Sequence, residues 1–378
     1  AFVAGRRVVP VEAIDQPPSV TSASAELSAQ AMEALLRSGL QVARDDVVAQ
    51  VPLRVLRPIA SCVDDDARLR PIVDGAALTQ ALLKRFPELE EPPTDASFRI
   101  RDGRPRIVAA KQGVTISPED VVNTVSTAIA SNPPPLRVSV PGRPLDPKIT
   151  DARARTLGVK EQLSSFKQAF PYAPYRVQNI GRAARFVDGT VLLPGETFSL
   201  NDVIKERTPK NGYTEGTVIG PGGVFREDLG GGVSTAATAV WTAAFFAGME
   251  RVETRAHSIY ISRYAPGLEA TVAWGVFDMR FRNATDGAVL LTAKTTDTSI
   301  TVRFWGTLEF DRVKAEFGPK HRIRPFAVVY DDSPTCLGQQ GMDGFTIDVD
   351  RVFIIDGAEA NRETITTTYQ PSPRVICT

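Results

Sequence analysis

The sequence is poor in the side chains that bind metals and carry redox chemistry. Its 378 residues include two histidines, His257 and His321, and three cysteines, Cys62, Cys336 and Cys377. Catalytic zinc sites usually have three protein ligands, with histidine dominant, and zinc knuckles and thioredoxin-like proteins use paired C-x-x-C motifs. No C-x-x-C pair occurs. We therefore expect neither a metal ion nor a cofactor.

Charge and hydropathy argue against two further classes. Lys and Arg number 44, and so do Asp and Glu, which gives a formal net charge of +0. A neutral chain has no electrostatic basis for binding nucleic acid or an acidic membrane surface. No apolar run approaches the roughly 18 residues of a membrane-spanning helix. We therefore expect a globular protein that does not bind nucleic acid.

Glycine and proline are plentiful, with 28 of each, and they lie between periodic segments. A chain of 378 residues exceeds one ordinary core, so two or three domains are expected. Three prolines and a glycine between Pro141 and Pro147 mark a linker. The predicted regions are 1–140 (alternatively two related halves, 1–68 and 69–140), a linker at 141–155, 156–306, and 307–378.

The N-terminal region combines helices with hairpins. Apolar residues at helical spacing predict helices over 25–37 and 75–86, and Ser117-Pro118 predicts the start of another. Asp102-Gly103 between two apolar runs predicts a hairpin. Cys62 borders an apolar stretch and is expected to be a small buried hydrophobe.

Strand patterns dominate the second half of the chain. Alternating residues predict strands at 270–274, 278–282, 289–293 and 299–304, which we interpret as a meander. Phe345–Ile355 and Arg362–Tyr369 alternate on either side of a turn. The predicted fold class is α+β: the helix-and-hairpin region, a central domain with a small-residue helix on a mainly antiparallel sheet, and a β-rich C-terminal unit.

Two of the cysteines can pin the end of the chain. Cys336 follows a turn and Cys377 is the penultimate residue. A disulfide between them would close a loop of about 40 residues and stabilise the fold by roughly 4 kcal/mol on the chain-entropy model. Such a bond would imply an oxidising compartment. The alternative is two free buried thiols.

Gly230, Gly231 and Gly232 precede a run of small residues that begins at Ser234 and ends before Gly248. The glycines predict a tight turn, and the run predicts a helix whose free N–H groups favour an anion or a developing oxyanion. Ser234 then has two possible roles. It can cap the helix, or it can act as a nucleophile or ligand-binding hydroxyl at the helix end.

A family resemblance rests on six segments. They are, in chain order, Arg176–Ala184, Pro194–Ser199, Asn211–Tyr213, Gly230–Ser234, His257-Ser258 and Asp278–Asn283. Their order resembles that of VanW domains, a family named from glycopeptide-resistance gene clusters. The resemblance implies an exported bacterial cell-envelope protein, usually anchored by an N-terminal membrane segment, with peptidoglycan or muropeptides as partners. Residues 69–140 resemble the putative peptidoglycan-binding domain that often precedes VanW domains, and 345–370 resemble G5-type cell-wall modules.

The sequence begins at Ala1 and shows neither a signal peptide nor an anchor. Two alternatives stay open: a cytosolic protein, or an exported one whose leader has been removed.

Many VanW domains have Cys-Gln where this chain has Ser234-Thr235. A cysteine at a helix N-terminus, then a histidine, then an acid is the order used by papain-like and transglutaminase-like hydrolases. By that analogy Ser234 would be the nucleophile, His257 the base and Asp278 the group that orients the base. A thiol at a helix N-terminus would be partly ionised, whereas serine needs a strong base, so the substitution weakens the case for catalysis.

Each of these residues also has a plain structural interpretation. His257 could bond backbone at the start of a strand, and Asp278 could lie on the surface opposite a neighbouring arginine. Glu196, in a Pro-Gly-Glu turn, could bind substrate or cap the next helix.

Three hypotheses for function follow. In the first, Glu196, Tyr213, Ser234, His257 and the glycines at 230–232 line a groove for a peptidoglycan stem peptide. In the second, Ser234 attacks an amide or ester in wall peptides, as a hydrolase or a transpeptidase. In the third, the small domains form a non-catalytic scaffold for an envelope assembly.

Overall fold

The computed structural model describes residues 2–4, 7–9, 20–65, 68–131, 136–220, 225–334 and 336–378. Its helices are α1 (Ser22–Ser38), α2 (Leu53–Leu56), α3 (Gly75–Arg85), α4 (Pro118–Ser131), α5 (Asp151–Thr156), α6 (Pro174–Val187), α7 (Leu200–Ile204) and α8 (Val233–Phe246). Short 3-10 helices lie at Pro87–Leu89 and Pro209–Asn211.

The strands are short and numerous. Those before α8 are β1 (Phe2–Ala4), β2 (Arg7–Val9), β3 (Leu40–Arg44), β4 (Val47–Val51), β5 (Ala60–Asp65), β6 (Arg68–Val73), β7 (Ser97–Arg101), β8 (Arg104–Val108), β9 (Gly113–Thr115), β10 (Leu136–Ser139), β11 (Arg143–Leu145), β12 (Glu161–Ala169), β13 (Val191–Leu192), β14 (Thr197–Ser199), β15 (Glu215–Ile219) and β16 (Phe225–Leu229). Those after it are β17 (Glu250–Glu253), β18 (Arg280–Arg282), β19 (Val289–Thr296), β20 (Ser299–Gly306), β21 (Arg312–Phe317), β22 (His321–Arg324), β23 (Val328–Asp331), β24 (Gly344–Ile355), β25 (Ala358–Tyr369) and β26 (Arg374–Cys377).

The chain folds as two units, one of Ala1–Asp95 with Ala110–Lys148 and one of Ala96–Ala109 with Ile149–Thr378. Both combine helices with several small, mainly antiparallel sheets. The predicted α+β class is confirmed.

The first unit is built on a three-stranded sheet in the order β10-β3-β4, with β10 parallel to β3. Its core contains Leu35 of α1, Leu78 of α3 and Val121 of α4, all fully buried. Helix α4 begins as its sequence predicts, because the Ser117 hydroxyl accepts the backbone N–H of Asp120 at 3.0 Å.

Cys62 differs from its prediction. It lies on β5 of the two-stranded β5–β6 hairpin, opposite Pro71, and it is exposed. A two-stranded hairpin cannot cover both of its own faces, so an apolar neighbourhood in the sequence does not guarantee burial there.

In the second unit, α6 and α8 pack against an antiparallel sheet in the order β12-β20-β19-β13. Alanines at 236, 237, 239, 243 and 244 of α8 are fully buried, which lets the sheet approach the helix closely. The Ser164 hydroxyl of β12 donates to the carbonyl of Ala243 at 2.7 Å.

The predicted meander is wrong in its pairing. Strand β18 pairs with β14 and β17, whereas β19 and β20 belong to the sheet with β12. Residues 270–274 form no strand. Instead, the Thr238 hydroxyl of α8 donates to the carbonyl of Ala270 at 3.1 Å and accepts its N–H at 3.2 Å. The helix therefore supplies the partners that the prediction assigned to a neighbouring strand.

The C-terminal strands form the predicted hairpin, β24 with β25, and β21 and β22 also pair with β24. Val349, Phe353 and Ile365 from these strands belong to the same hydrophobic cluster as α8. Cys336 and Cys377 form a disulfide, as the sequence predicts. This bond joins β26 to the loop that follows β23. Strands β23 and β26 pair in parallel.

Candidate functional site

The turn before α8 is shaped by close backbone packing. A Cβ on Gly231 would lie 2.2 Å from the carbonyl carbon of Gly216, and Gly230 and Gly232 have φ of +79° and +87°. The buried Asn179 amide on α6 donates to the carbonyls of Gly231 at 3.0 Å and Thr214 at 2.9 Å. This packing holds the start of α8 in a fixed position.

A cavity of about 680 Å³ opens at this helix end. Its described lining residues come from α6, the segment after α7, the β15–β16 hairpin, the start of α8 and the segment after β17. They are Arg176, Glu206, Arg207, Thr217, Val218, Ile219, Phe225, Arg226, Asp228, Leu229, Gly230, Gly232, Val233, Ser234, Thr235, His257, Ile261, Arg263, Tyr264, Thr271, Val272, Ala273, Trp274 and Phe277.

The charged side chains of this lining are mainly basic. Four are arginines, against the carboxylates of Glu206 and Asp228. Arg226 pairs with Asp228 at 2.8 Å, and burial lowers the pKa of Arg207, while Tyr213 and Asp278 oppose that shift. Arg176 and Arg263 form no ion pair among those found in the described residues. The cavity therefore favours an anionic ligand.

Ser234 is half-buried and lines the cavity in the first turn of α8. Its hydroxyl lies 2.8 Å from the Thr271 hydroxyl, where either group can donate. Gly232 is the N-cap residue and supplies no side-chain cap. The helix therefore begins without a side-chain acceptor. The N–H groups of Val233 and Thr235 donate to the carbonyls of Gly230 at 3.0 Å and Gly232 at 2.9 Å, so it is the positive end of the helix dipole that favours an anion here.

His257 lines the same cavity and is 8% exposed. Its ring stacks on Tyr264, with centroids 5.5 Å apart and planes 10° apart. Its Nδ1 lies 3.6 Å from Oε1 of Glu269, and within the described chain Nδ1 is buried without a hydrogen-bond partner. The structure thus brings Ser234 and His257 to one cavity and places a buried acid beside the histidine.

That acid is not Asp278. The Asp278 carboxylate accepts the Ser199 hydroxyl at 2.5 Å and the backbone N–H groups of Asn201 at 2.9 Å and Met279 at 2.7 Å. It lines a second hollow, of about 600 Å³. Asp278 therefore organises the start of α7, and its carboxylate has no bond to His257 among those described.

Glu196 and Tyr213 are not among the described residues that line the cavity. The Glu196 carboxylate accepts the backbone N–H of Leu193 at 2.8 Å, within its own turn. Tyr213 is 3% exposed and donates to the carbonyl of Ile204 at 2.8 Å. Burial raises its pKa to about 12, a shift that nearby arginines oppose. Tyr213 therefore packs in the core.

Three residues at this site were not predicted from the sequence: Glu269, Thr271 and Trp274. Trp274 is 46% exposed and lines both hollows. One signal was available for Glu269, because an acid between Leu268 and Ala270 in an apolar run is costly to bury without a partner. No pattern in the sequence connected it to His257, twelve positions earlier.

No cluster of three or more His, Cys, Asp or Glu side chains suited to a metal ion occurs in the described parts of the chain. In those same parts, no helix is both long and apolar enough to cross a membrane.

Two segments of the chain match known protein families. Residues 175–305 match the family described as VanW like protein, and residues 19–137 match the one described as putative peptidoglycan binding domain. The chain thus carries a VanW-like domain preceded by a domain of the peptidoglycan-binding type. Together these matches indicate a role associated with the cell wall.

A related sequence is the uncharacterized protein YoaR of Bacillus subtilis (strain 168). It is 31% identical over 161 residues, which are 42% of this chain and 52% of YoaR. The chain therefore spans about half the length of this curated relative. No solved structure matches the chain.

Proposed function

We propose that this protein is exported to the cell envelope and binds peptidoglycan stem peptides through the cavity at the start of α8. The main observation in its support is that a helix N-terminus without a side-chain cap opens into a cavity lined by four arginines. Stem peptides bear carboxylates, and both features attract them. The domain matched at 19–137 supports the wall as the place of binding.

The shape of the cavity also suits a peptide. Its volume of about 680 Å³ lies within the range of small-ligand sites. Tyr264, Trp274 and Phe277 supply aromatic surface beside the polar helix end. The hydroxyls of Ser234 and Thr271, which bond each other at 2.8 Å, line the cavity and can exchange that bond for one to a peptide group.

Export is supported by the disulfide. Bonds such as Cys336–Cys377 persist in oxidising compartments and are rare in the cytosol. Fractionation of cells that produce the protein tests this step. Recovery in the envelope fraction with the Cys336–Cys377 bond oxidised would agree with the proposal. Recovery from the cytosol with reduced thiols would contradict it.

Calorimetric titration tests binding. We expect a synthetic stem peptide with a free C-terminal carboxylate to bind about tenfold more tightly than the same peptide as a C-terminal amide, since a charge-assisted hydrogen bond contributes roughly 1.5 kcal/mol or more. Equal affinities would contradict carboxylate recognition. Absence of binding for both peptides, and for insoluble peptidoglycan, would favour the scaffold.

A second candidate is a serine-dependent hydrolase or transpeptidase of wall peptides. The observation in its favour is that Ser234 and His257 line one cavity. Incubation with defined muropeptides, read by product mass, separates the candidates. Ser234→Ala should abolish turnover if the protein is an enzyme, and it should leave peptidoglycan pull-down largely intact if the protein only binds.

A further inference from the structure

We infer that Glu269 positions His257 as a proton-dependent donor to the carboxylate of the bound peptide. This inference rests on the proposed function. It assigns His257 the role of a ligand-contacting group and Glu269 that of a positioning residue.

The geometry fixes one edge of the imidazole. Oε1 of Glu269 accepts the backbone N–H of His257 at 3.3 Å and lies 3.6 Å from its Nδ1. The face of the ring is held by Tyr264. With the Nδ1 edge turned to the carboxylate, Nε2 is the ring nitrogen left for the cavity that His257 lines.

The carboxylate of Glu269 is 2% exposed, and His257 is its one ion-pair partner among those found in the described residues. Three tyrosines also surround it. Burial raises the pKa of Tyr260 and Tyr369, and the negative charge of Glu269 raises both further. Burial raises the pKa of Tyr264 in the same way, while its bond to Thr235 opposes the shift. These hydroxyls therefore stay neutral and cannot balance the acid.

Three further cations face the cluster from its edge. One is Arg176, whose charge opposes the rise that burial causes in the pKa of Tyr264. The other two lie against aromatic rings. The Arg263 guanidinium lies 5.5 Å from the Tyr264 ring centroid, and the Lys320 ammonium lies 5.0 Å from that of Tyr260. Both act across an aromatic ring. Within the described residues the Glu269 carboxylate therefore has His257 as its ion-pair partner, and a proton on the imidazole would complete that pair.

Protonation changes what the cavity presents. Protonated His257 carries an N–H at both nitrogens, so Nδ1 faces Glu269 while Nε2 donates to a ligand carboxylate. In the neutral ring the proton stays on Nδ1, and the Nε2 lone pair faces the carboxylate unfavourably. Histidines ordinarily change charge between pH 5 and 8. Affinity should therefore be highest at low pH and should fall as the pH rises and the proton is lost.

Calorimetric titration of the intact chain from pH 5.5 to 8.5, with the carboxylate and amide stem peptides, provides the test. For the carboxylate peptide we expect affinity to fall about tenfold or more over this range. His257→Asn should remove most of that fall. Glu269→Gln keeps shape and volume but replaces the carboxylate that faces Nδ1, so the pH profile should be displaced from that of the wild-type chain.

The chain contains a matched control, because His321 is its only other histidine. His321→Asn should preserve the wild-type pH profile. Thermal unfolding of each variant verifies that it is folded at the pH of the titration, and Glu269→Gln provides an independent measurement if His257→Asn does not fold.

The outcomes separate the inference from the proposed function. A carboxylate-specific fall that is lost in His257→Asn and displaced in Glu269→Gln supports the inference. Peptide binding whose pH profile is unchanged in both variants overturns the inference and leaves the proposed function standing. Failure of both peptides to bind the wild-type chain at every pH overturns both.

Discussion

The two ends of α8 differ in how their backbone groups are satisfied. At the C-terminal end the Arg351 guanidinium, which is fully buried, donates to the carbonyls of Phe245 at 2.5 and 2.9 Å and of Met249 at 2.8 Å. At the N-terminal end, Gly232 supplies no side-chain cap and the helix faces a cavity. A helix normally needs partners at both ends. Here a buried arginine satisfies one end, and the other end meets a cavity whose lining includes four arginines.

Satisfying the carbonyls at the C-terminal end of α8 requires burial of the charged Arg351 side chain. Burial lowers its pKa to about 10, a shift opposed by Glu363, which lies 3.3 Å away. A guanidinium is tolerated in the core because its donors match several carbonyls at once. The N-terminal end has no comparable side chain among the described residues. There the N–H groups of Val233 and Thr235 donate to the backbone carbonyls of Gly230 at 3.0 Å and Gly232 at 2.9 Å.

The largest expected effect on stability comes from replacing Arg351 at the C-terminal end of α8. Arg351→Met keeps most of the side-chain volume but leaves the carbonyls of Phe245 and Met249 buried without their donor. We expect the free energy of unfolding to fall by about 4 kcal/mol, measured by denaturant titration. Arg362→Met, on the neighbouring strand β25, removes an exposed arginine bonded to three carboxylates and should have a much smaller effect. Equal losses would show that Arg351 is not the main stabilising contact of this helix end.

Local sequence was sufficient to predict several elements of the fold. The start of α4, the β24–β25 hairpin and the glycine turn before α8 each depend on residues close together in the chain. The run of small residues in α8 likewise predicts a helix that packs closely against another element. Ser234 and His257 could be proposed as neighbours only with the help of a family resemblance.

The remaining features depend on contacts between distant residues. The acid beside His257 is Glu269, whereas the prediction was Asp278, because the order of residues along a chain does not specify which carboxylate faces the ring. The meander failed for a similar reason, since the Thr238 hydroxyl ties Ala270 to α8. Side-chain bonds of this kind have no periodic signature in a sequence.

A smaller effect on stability is expected at the glycine turn before the N-terminal end of α8. Gly231→Ala places a Cβ 2.2 Å from the carbonyl carbon of Gly216, and backbone cannot yield as a flexible side chain can. We expect a loss of about 2 to 3 kcal/mol in unfolding free energy, with peptide affinity lost in parallel.

Gly189→Ala is a comparison variant that introduces backbone strain without close packing. Gly189 has φ +87°, but a Cβ there meets nothing within 4 Å. Its cost should be limited to backbone strain of roughly 1 to 2 kcal/mol, with peptide affinity unchanged. If Gly231→Ala proved as mild as this control and bound peptide normally, the close approach of the two backbones would not be what positions the helix end.

The smallest expected effect sharpens the contrast without disturbing the fold. Arg263 is exposed and lines the cavity, so Arg263→Gln should leave stability nearly unchanged. Loss of one screened charge near the ligand should weaken binding of the carboxylate peptide about threefold, and the difference should shrink as salt rises, since the Debye length is roughly 10 Å at 0.1 M and 3 Å at 1 M. Arg374→Gln removes another exposed arginine, on β26 away from the cavity lining, and should change neither affinity nor its salt dependence. An equal loss of affinity in both variants would show that the peptide is attracted by the charge of the whole surface. It would contradict specific binding at the N-terminal end of α8.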